Sequence, residues 1–546
     1  MFWQALCGMA LRRPALAAEA LYWHLSGRKV RARNRLHMAE RQRPDAYDLW
    51  IRRREAVLPP PAPWVGAGVG LSVIVTGDPA PVLAGQAAGG WELIVIDGPV
   101  PVGARGAGCL AEAVAMARGR FVLPVPAGAR LPVGALARWL AAVAAHPGAV
   151  VLYADHDVLD GRGRRGGFWF KAGWNPEALW AQDYLSPACA IATAAARGCA
   201  AGSVYALLLA VTRGDPAARV VHVPYVLAHL GAEADDLPAR LAAVRAQGLD
   251  ADAGDFGTVR VRWPVPDPAP LVSVMIPTRD RVQLLRTAVT GVLEQTDYPA
   301  LEVIVIDNGS TAPDALAYLA EIAADPRVRV LRVDAPFNFS ALNNRAAEIA
   351  RGEFLLLLNN DIEVIAPDWL SALVAQGVRP GIGAVGAKLL YDDGAIQHAG
   401  VVVGMGDAAG HAHRFLKAGA VGYHAQAHIA RAATAVTAAC LLVRAADYRA
   451  VGGLDAAGFA VAFNDVDFCL KLRAHGLRNI YEPASGLIHH ESKSRGRDVA
   501  PEHIDRYLRE LALLQARWGT PTFADPQHHP RLARACETYL LELIPD

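Results

Sequence analysis

The chemistry in this sequence gathers around Asp361. The apolar run Phe354-Leu355-Leu356-Leu357-Leu358 breaks into Asn359-Asn360-Asp361, two amides and one carboxylate. Five consecutive apolar residues read as a strand buried on both faces, the pattern of a central parallel strand. Open α/β sheets take their ligands at the carboxyl ends of their strands, so Asp361 stands where a ligand would bind. A carboxylate there can also do no more than cap the next helix. Its chemistry suits a divalent cation, since one or two carboxylates together with substrate phosphates commonly hold magnesium or manganese.

Other candidates share that edge. Pro277-Thr278-Arg279-Asp280 follows one apolar strand and Asp307-Asn308-Gly309-Ser310 follows the next. Asp307 could accept from a base N–H, and the glycine in its turn lets a ligand approach the backbone. An ordinary β-turn is the plainer reading of either loop alone. In the segment Phe463–Leu472, Asp465 and Asp467 fall in the first turn of a helix, where the dipole favours ionised carboxylates. One of them could be a general base, while helix capping accounts for the other. In Ile488–Gly496, His489 or His490 could complete a metal shell, and Lys493 and Arg495 suit phosphate oxygens. A histidine pair that closes a strand is also a common structural feature.

The elements that would position these groups occur twice. Leu71–Thr76, Trp91–Gly98 and Arg118–Leu123 are matched in the same order by Val272–Thr278, Leu301–Gly309 and Arg351–Leu358. Helical segments such as Val282–Glu294 and Ala312–Ala323 alternate with these strands, the arrangement of a duplicated, mostly parallel α/β unit. Aligning Gly119 with Gly352 puts Gly128 opposite Asp361, so the first copy lacks that carboxylate and reads as a scaffold. A proline-rich stretch, Trp263–Pro270, separates the copies as a stiff linker. The resulting division is a basic helical segment at 1–62, the first copy at 63–260, the linker at 261–270, the second copy at 271–500 and a helical extension at 501–546. The extension is expected to hold an amphipathic helix at Pro501–Trp518 and a last helix at Arg531–Leu543.

Composition narrows the class. The chain has 546 residues, is 53% hydrophobic and 20% charged, and carries a formal net charge of +1. This is a globular protein without the basic field of a nucleic-acid binder. No run of apolar residues is long enough for a transmembrane helix, and the N-terminus lacks the basic start of a secretion signal. Seven scattered cysteines form no zinc spacing and read as reduced thiols, which points to the cytoplasm. Between Arg28 and Glu55 ten Lys or Arg face four acids, with Tyr47 and Trp50 among them. That segment is either a solvated helix face or a patch that docks on an anionic membrane surface.

The second half, from residue 271 to about 500, resembles the family 2 glycosyltransferases of the GT-A fold, a Rossmann-like, mostly parallel α/β architecture. Within them it is similar to the bacterial group that builds O-antigen and other surface polysaccharides. The motifs that carry the resemblance are Ser273–Asp280, Val305–Ser310, Phe337–Asn344, Leu358–Asp361, Ala438–Arg444, Val451–Asp455, Asn464–Leu472 and His489–Gly496. The first copy resembles the same family weakly, in Tyr153–Asp155 and Phe170–Pro176, as a degenerate GT-A-like repeat.

The resemblance implies an inverting, metal-dependent transfer of a hexosyl or deoxyhexosyl group. The donor would be a nucleotide-diphosphate sugar, and the acceptor a glycan or lipid-linked molecule. It implies nucleotide contacts from Pro277, Thr278, Asp280, Asp307, Asn343 and Asn360, with Asp307 reading the base. Asp361 would ligate Mn2+ or Mg2+ as the last acid of the DxD motif, and His489, or else His490, would complete the metal site. Asp465 matches the general base. Asp467, His490, Lys493 and Arg495 are left for acceptor or phosphate contacts, and His398, His411 and His413 could line the acceptor pocket. The chain departs from the family pattern in reading Asn359-Asn360-Asp361, with one carboxylate, and Asn464-Asp465 where relatives often have Glu-Asp. Gln515-Ala516-Arg517-Trp518 is one residue short of the QxxRW of processive synthases and lies after the site, so it is set aside. The competing readings are a non-catalytic nucleotide- or glycan-binding scaffold and a sugar-nucleotide pyrophosphorylase. The latter needs a Gly-rich basic loop that the sequence lacks.

Overall fold

The computed structural model describes the chain except residues 1, 27–31, 33, 34, 37, 38, 40–42, 67, 88, 200, 214, 216, 232–235, 491–502 and 544–546. Much of the basic stretch between Arg28 and Glu55, and all of Lys493 and Arg495, lie outside the described residues. Contacts divide the chain into two units. One is Met1–Val261 with His528–Cys536 and Leu540–Asp546, and the other is Arg262–Gln527 with Glu537–Tyr539.

Among the described residues, the helices at the start of the first unit include α1 (Phe2–Arg12), α2 (Pro14–Leu25) and α3 (Ala46–Trp50). Its sheet contains β1 (Leu71–Thr76), β2 (Trp91–Ile96), β3 (Arg105–Ala107), β4 (Phe121–Val125), β5 (Val151–Leu159), β6 (Arg165–Trp169), β7 (Cys189–Ala192) and β8 (Val220–Leu230). The strand order is β3-β2-β1-β4-β7-β5-β6, with β8 parallel to β5 and β7 antiparallel to both its neighbours.

The second unit repeats that path. Its strands are β9 (Val272–Thr278), β10 (Leu301–Asp307), β11 (Val328–Arg332), β12 (Phe354–Leu358), β13 (Ile362–Val364), β14 (Ile382–Leu390), β15 (Ile396–His398), β16 (Arg431–Ala433), β17 (Cys440–Arg444) and β18 (Arg478–His489). They run in the order β11-β10-β9-β12-β17-β14-β18-β13. As in the first unit, one antiparallel strand (β17) interrupts the parallel set, and β18 lies parallel to β14.

Helices α4 (Val282–Glu294), α5 (Pro313–Ile322), α6 (Phe339–Ile349) and α7 (Trp369–Gly377) cover this sheet, followed by α8 (Asn464–Ala474) and α9 (Ile504–Trp518). The five-residue run of β12 is buried on both faces, as its composition requires. Leu356 and Leu358 pack with Leu285 and Val289 of α4 and Leu373 of α7, while Leu355 and Leu357 face Leu342 and Ala346 of α6. The alternation follows from the two-residue period of a strand.

The base of each sheet is built around a carboxylate at the same position, buried in the second unit and half-buried in the first. Glu302, 2% exposed, accepts from Ser273 Oγ at 2.6 Å, the Arg351 backbone at 2.8 Å and the guanidinium groups of Arg351 and Arg329 at 2.8 and 2.9 Å. Ser273 Oγ in turn accepts from the Gly352 N–H at 2.8 Å. In the first unit Glu92 accepts from Ser72, the Arg118 backbone and Arg105, and Ser72 accepts from Gly119. A Cβ on Gly352 would stand 2.6 Å from Ser273 N, and one on Gly119 would stand 2.4 Å from Ser72 N. Both glycines are there for the close approach of two strands.

One expected element does not form. Arg531–Leu543 is no helix: Leu532 and Leu541 pair as an antiparallel bridge, and the Ala533 N–H donates to the Leu540 carbonyl at 2.7 Å. Nine residues apart, these two leucines would face opposite sides of a helix, whereas the reversal brings both into the interior, 2% and 3% exposed.

Burial alone would push the Glu302 carboxyl up, but its donors outweigh that, and its pKa lies below the ordinary 4.5. A carboxylate with a depressed folded-state pKa gives stability that is full above the unfolded value and fades as pH falls through the folded one. Glu302→Gln should therefore cost about 2–3 kcal/mol at pH 7. In urea unfolding the gap to wild type should narrow as the pH drops below 4.5.

Candidate active site at the carboxyl edge of the second sheet

The parallel pairing of β9 with β10 sets Thr278 opposite Asp307, so both strands end at one edge. Just past the end of β12, Asp361 joins them. Strand β13 then turns back antiparallel to β18 with Ile362 opposite His489, which draws the end of β18 to the same place. Asp361 Oδ1 lies 3.0 Å from His489 Nε2, with the two side chains 4% and 11% exposed. Asn359 Nδ2 stands 3.2 Å from the same nitrogen, and Gln397 Oε1 is 2.6 Å from His489 Nδ1. A separation of 3.0 Å is that of neighbouring ligands on an octahedral cation with bonds of about 2.1 Å. This donor set, one carboxylate oxygen and one imidazole nitrogen, is one that a divalent cation can use. His490 points elsewhere, to Glu363 at 2.9 Å and to Asp392.

The loops above β9 and β10 are knitted together by the residues singled out from sequence. Asn360 Nδ2 donates to Thr278 Oγ1 at 3.0 Å. Asp280 has φ 52°, a left-handed conformation that Asp tolerates better than most residues. There its carboxylate accepts from the Thr311 and Ala312 N–H groups at 2.6 and 2.8 Å. Asp307, 1% exposed, accepts from the Ser310 N–H and from Arg332 Nη1, both at 2.8 Å. Pro277 is buried within β9. Asn343, fully buried in α6, donates to the Phe339 carbonyl one turn back, so its amide nitrogen serves its own helix.

Asp465 opens α8 and is tied to the Asp361 edge through one short segment. Its Oδ2 accepts from the Ala438 N–H at 3.1 Å, and the neighbouring Ala439 carbonyl accepts from the Asn359 N–H at 3.0 Å. Burial raises the Asp465 pKa, against the hydrogen bonds from Ala438, Val466 and Thr437. A raised pKa makes the ionised carboxylate a stronger base. Asp467 has a different task from the acceptor contact that its spacing suggested. It is fully buried, and its Oδ1 accepts from Arg517 Nη1 and Trp518 Nε1 of α9, each at 2.9 Å. Arg517 also reaches Asp455 at 2.8 Å. The Arg517-Trp518 pair, set aside on sequence grounds because it lies after the site, thus holds the helix that carries Asp465. The signal was present but lacked a partner to assign it to.

The three histidines expected near an acceptor pocket turn inward. His398 is fully buried with Nδ1 2.9 Å from His411 Nδ1, and His413 stacks on Tyr539 at 4.3 Å. Burial is the first cause holding both His398 and His411 well below the ordinary histidine pKa, His411 at about 3.

The first unit holds a cluster of another kind. Asp155 Oδ1 and Oδ2 lie 2.9 Å from His222 Nε2 and His529 Nε2, a grouping with metal-ligand spacing. However, His529 Nδ1 accepts from the Arg531 N–H at 3.0 Å. A neutral imidazole that accepts at Nδ1 carries its proton on Nε2, so His529 donates to Asp155. The arrangement is a hydrogen-bonded relay. Asp157 beside it is saturated by Tyr47, Arg165 and His229 at 2.7, 2.6 and 2.5 Å.

Removing Arg517 leaves the Asp467 charge buried with fewer partners. Arg517→Ala should lower stability by about 3 kcal/mol. Combining it with Asp467→Asn should recover part of that loss in a double-mutant cycle of urea unfolding.

Residues 273–400 match the family described as Glycosyl transferase family 2. The uncharacterized protein y4gI of Sinorhizobium fredii (strain NBRC 101917 / NGR234) is 39% identical over 457 residues, covering 79% of this chain and 50% of that protein. The O-antigen biosynthesis protein RfbC of Myxococcus xanthus is 38% identical over 444 residues, covering 77% of this chain and 34% of that protein. The chain thus spans half or less of the length of these two relatives. Among solved structures, the mannosyltransferase PcManGT from Pyrobaculum calidifontis in complex with GDP-Man and Mn2+ superposes with a TM-score of 0.34 at 20% identity, covering 49% of this chain and 70% of that one. Residues 273–400 of the chain thus match a glycosyl transferase family 2 domain, within the mostly parallel α/β sheet of the second unit.

Proposed function

We propose that the second unit is an inverting, metal-dependent glycosyltransferase. It would move a hexosyl or deoxyhexosyl group from a nucleotide-diphosphate sugar to a glycan or lipid-linked acceptor in bacterial surface polysaccharide synthesis. The observation that carries this reading is the 3.0 Å approach of Asp361 and His489 at the edge shared with Thr278 and Asp307. The half-buried base candidate Asp465 is tied to that edge through Ala438 and Ala439.

Asp361 and His489 would hold Mn2+ or Mg2+, which supplies charge neutralisation on the departing nucleoside diphosphate. Asp307 and the loops that Asp280 and Asn360 fasten would orient the nucleotide. Asp465 would take the proton from the acceptor hydroxyl as that oxygen attacks the anomeric carbon from the face opposite the leaving group. One base and one displacement give inversion.

The first unit is best read as a degenerate copy that supports the chain. At its sheet edge Gly128 takes the place of Asp361, because Leu71 pairs with Phe121 as Val272 pairs with Phe354. Its buried acids Asp155 and Asp157 are satisfied by the chain's own side chains. The relatives' matches of 79% and 77% of the chain extend beyond the second unit.

Asp465→Asn should bind nucleotide like wild type yet turn over about 10²–10⁴-fold more slowly. Asp361→Ala should lose the metal-dependent part of nucleotide binding. Calorimetric titration with UDP, GDP and dTDP, each with Mn2+ and with EDTA, separates the two effects. Near-normal turnover in the first variant removes Asp465 as the base. Binding in the second that responds to EDTA just as wild type does removes the cation from Asp361.

We further propose a cytoplasmic protein in peripheral contact with the inner face of the membrane. No helix among the described residues is long and apolar enough to cross one. Trp3 and Leu11 of α1 and Tyr22 and Leu25 of α2 are exposed large apolar groups, and Arg12 and Arg13 lie where those helices join. Such a surface suits anionic lipid headgroups. The protein should sediment with phosphatidylglycerol vesicles and be released by salt, and Trp3→Ser with Leu11→Ser should weaken this. Recovery in the supernatant at low salt would reject it.

A further inference from the structure

We infer that Gln397 is a positioning residue for the cation, acting through His489; the inference rests on the metal-dependent reading above. An imidazole can give a metal a lone pair from Nε2 only while its proton sits on Nδ1. What Nδ1 faces therefore decides whether His489 is a ligand. Gln397, 4% exposed, offers it an acceptor: Oε1 lies 2.6 Å from Nδ1. The orientation of the Gln397 amide is fixed by the same residue, because its Nε2 faces the His489 carbonyl at 3.5 Å. Both ends of one buried amide thus face the same histidine. On the opposite side of the ring, the Asn359 amide nitrogen, which can only donate, stands 3.2 Å from Nε2. Donor and acceptor together select the tautomer with Nδ1–H and a free pair on Nε2, turned toward Asp361 Oδ1 at 3.0 Å. A lone pair facing a carboxylate at that distance is favourable only with positive charge between them, and with the Asn359 donor also turned to Nε2 a divalent cation suits that place better than a proton.

The contrast with the first unit sharpens the point. There His529 has a donor, the Arg531 N–H, on Nδ1, and its Nε2 donates to Asp155. The same pair of residue types is wired in the opposite sense, so a short Asp–His distance alone does not make a metal site. Strand β15 carries Gln397 to β14 through the pairing of Leu389 with His398, and β14 lies parallel to β18, the strand that ends in His489.

The test uses the full chain, two substitutions at Gln397 and His489→Ala as the control. Gln397→Leu removes the acceptor and keeps the volume, and Gln397→Glu keeps an oxygen at Nδ1. Mn2+ binding is followed by electron paramagnetic resonance in the presence of whichever of UDP, GDP or dTDP binds the wild type. The nitrogen modulation of a manganese-bound imidazole is read on the same samples. Gln397→Leu should weaken Mn2+ binding about 10–100-fold and reduce the nitrogen signal, as loss of an outer-shell partner does. Gln397→Glu should restore both, and nucleotide binding in EDTA should stay at the wild-type level in each variant, which also reports that the site is folded. Wild-type Mn2+ affinity and nitrogen signal in Gln397→Leu, with both lost in His489→Ala, would overturn the inference alone. Absence of Mn2+ binding by the wild type would overturn the reading beneath it and the inference with it.

Discussion

A negative charge buried at the base of the second sheet, the carboxylate of Glu302, is the constraint from which the site geometry follows. Its donors come from β9 (Ser273), from β11 (Arg329) and from the residue that precedes β12 by three (Arg351). A buried carboxylate left without them would be costly, so these chain segments are held in one register. Fixing the amino ends of parallel strands fixes their carboxyl ends as well. Thr278, Asp307 and Asp361 meet at one edge because Ser273, Glu302 and Gly352 meet at the other.

The two copies separate what the fold needs from what a site needs. Ser72, Glu92, Arg118 and Gly119 repeat the base network of the second unit group for group, and the strand path is the same. The opposite edge diverges. Glycines occupy positions 77 and 128, where the second unit has Thr278 and Asp361, although Asp97 still matches Asp307. The acids of the first unit lie deeper, on β5, and are closed over by Tyr47 and Glu55 from the beginning of the chain and His529 from its end. Had the duplication kept two equal sites, the edge rather than the base would be the common part.

What could be read from the sequence was whatever depends on neighbours in the chain. The β12 strand, the helix at Val282–Glu294, the duplication and the α/β class follow from periodicity and from loops of residues placed side by side, and Asp361 follows from its position after a strand. The choice between His489 and His490 could not be read that way. Adjacent residues on a strand face opposite sides, and which side meets Asp361 depends on the long-range pairing of Ile362 with His489. Asp467 failed for a related reason: two acids spaced two apart at a helix start look alike until Arg517 and Trp518 claim one of them. The missing helix at Arg531–Leu543 shows local preference losing to a hairpin contact between Leu532 and Leu541.

The departure from two acids to Asn359-Asn360-Asp361 then acquires a physical sense. With a single carboxylate on β12, the group that faces it comes from elsewhere: β13 folds back along β18 and brings His489 to within 3.0 Å of Asp361. Asn359 and Asn360 are not idle replacements. One amide faces the lone pair of His489 and the other fastens the end of β12 to Thr278. A carboxylate at position 359 would put a second acceptor and a second negative charge beside the His489 nitrogen that already faces Asp361. On the proposed metal-dependent reading, the amide at that position leaves Asp361 as the one carboxylate facing the His489 nitrogen.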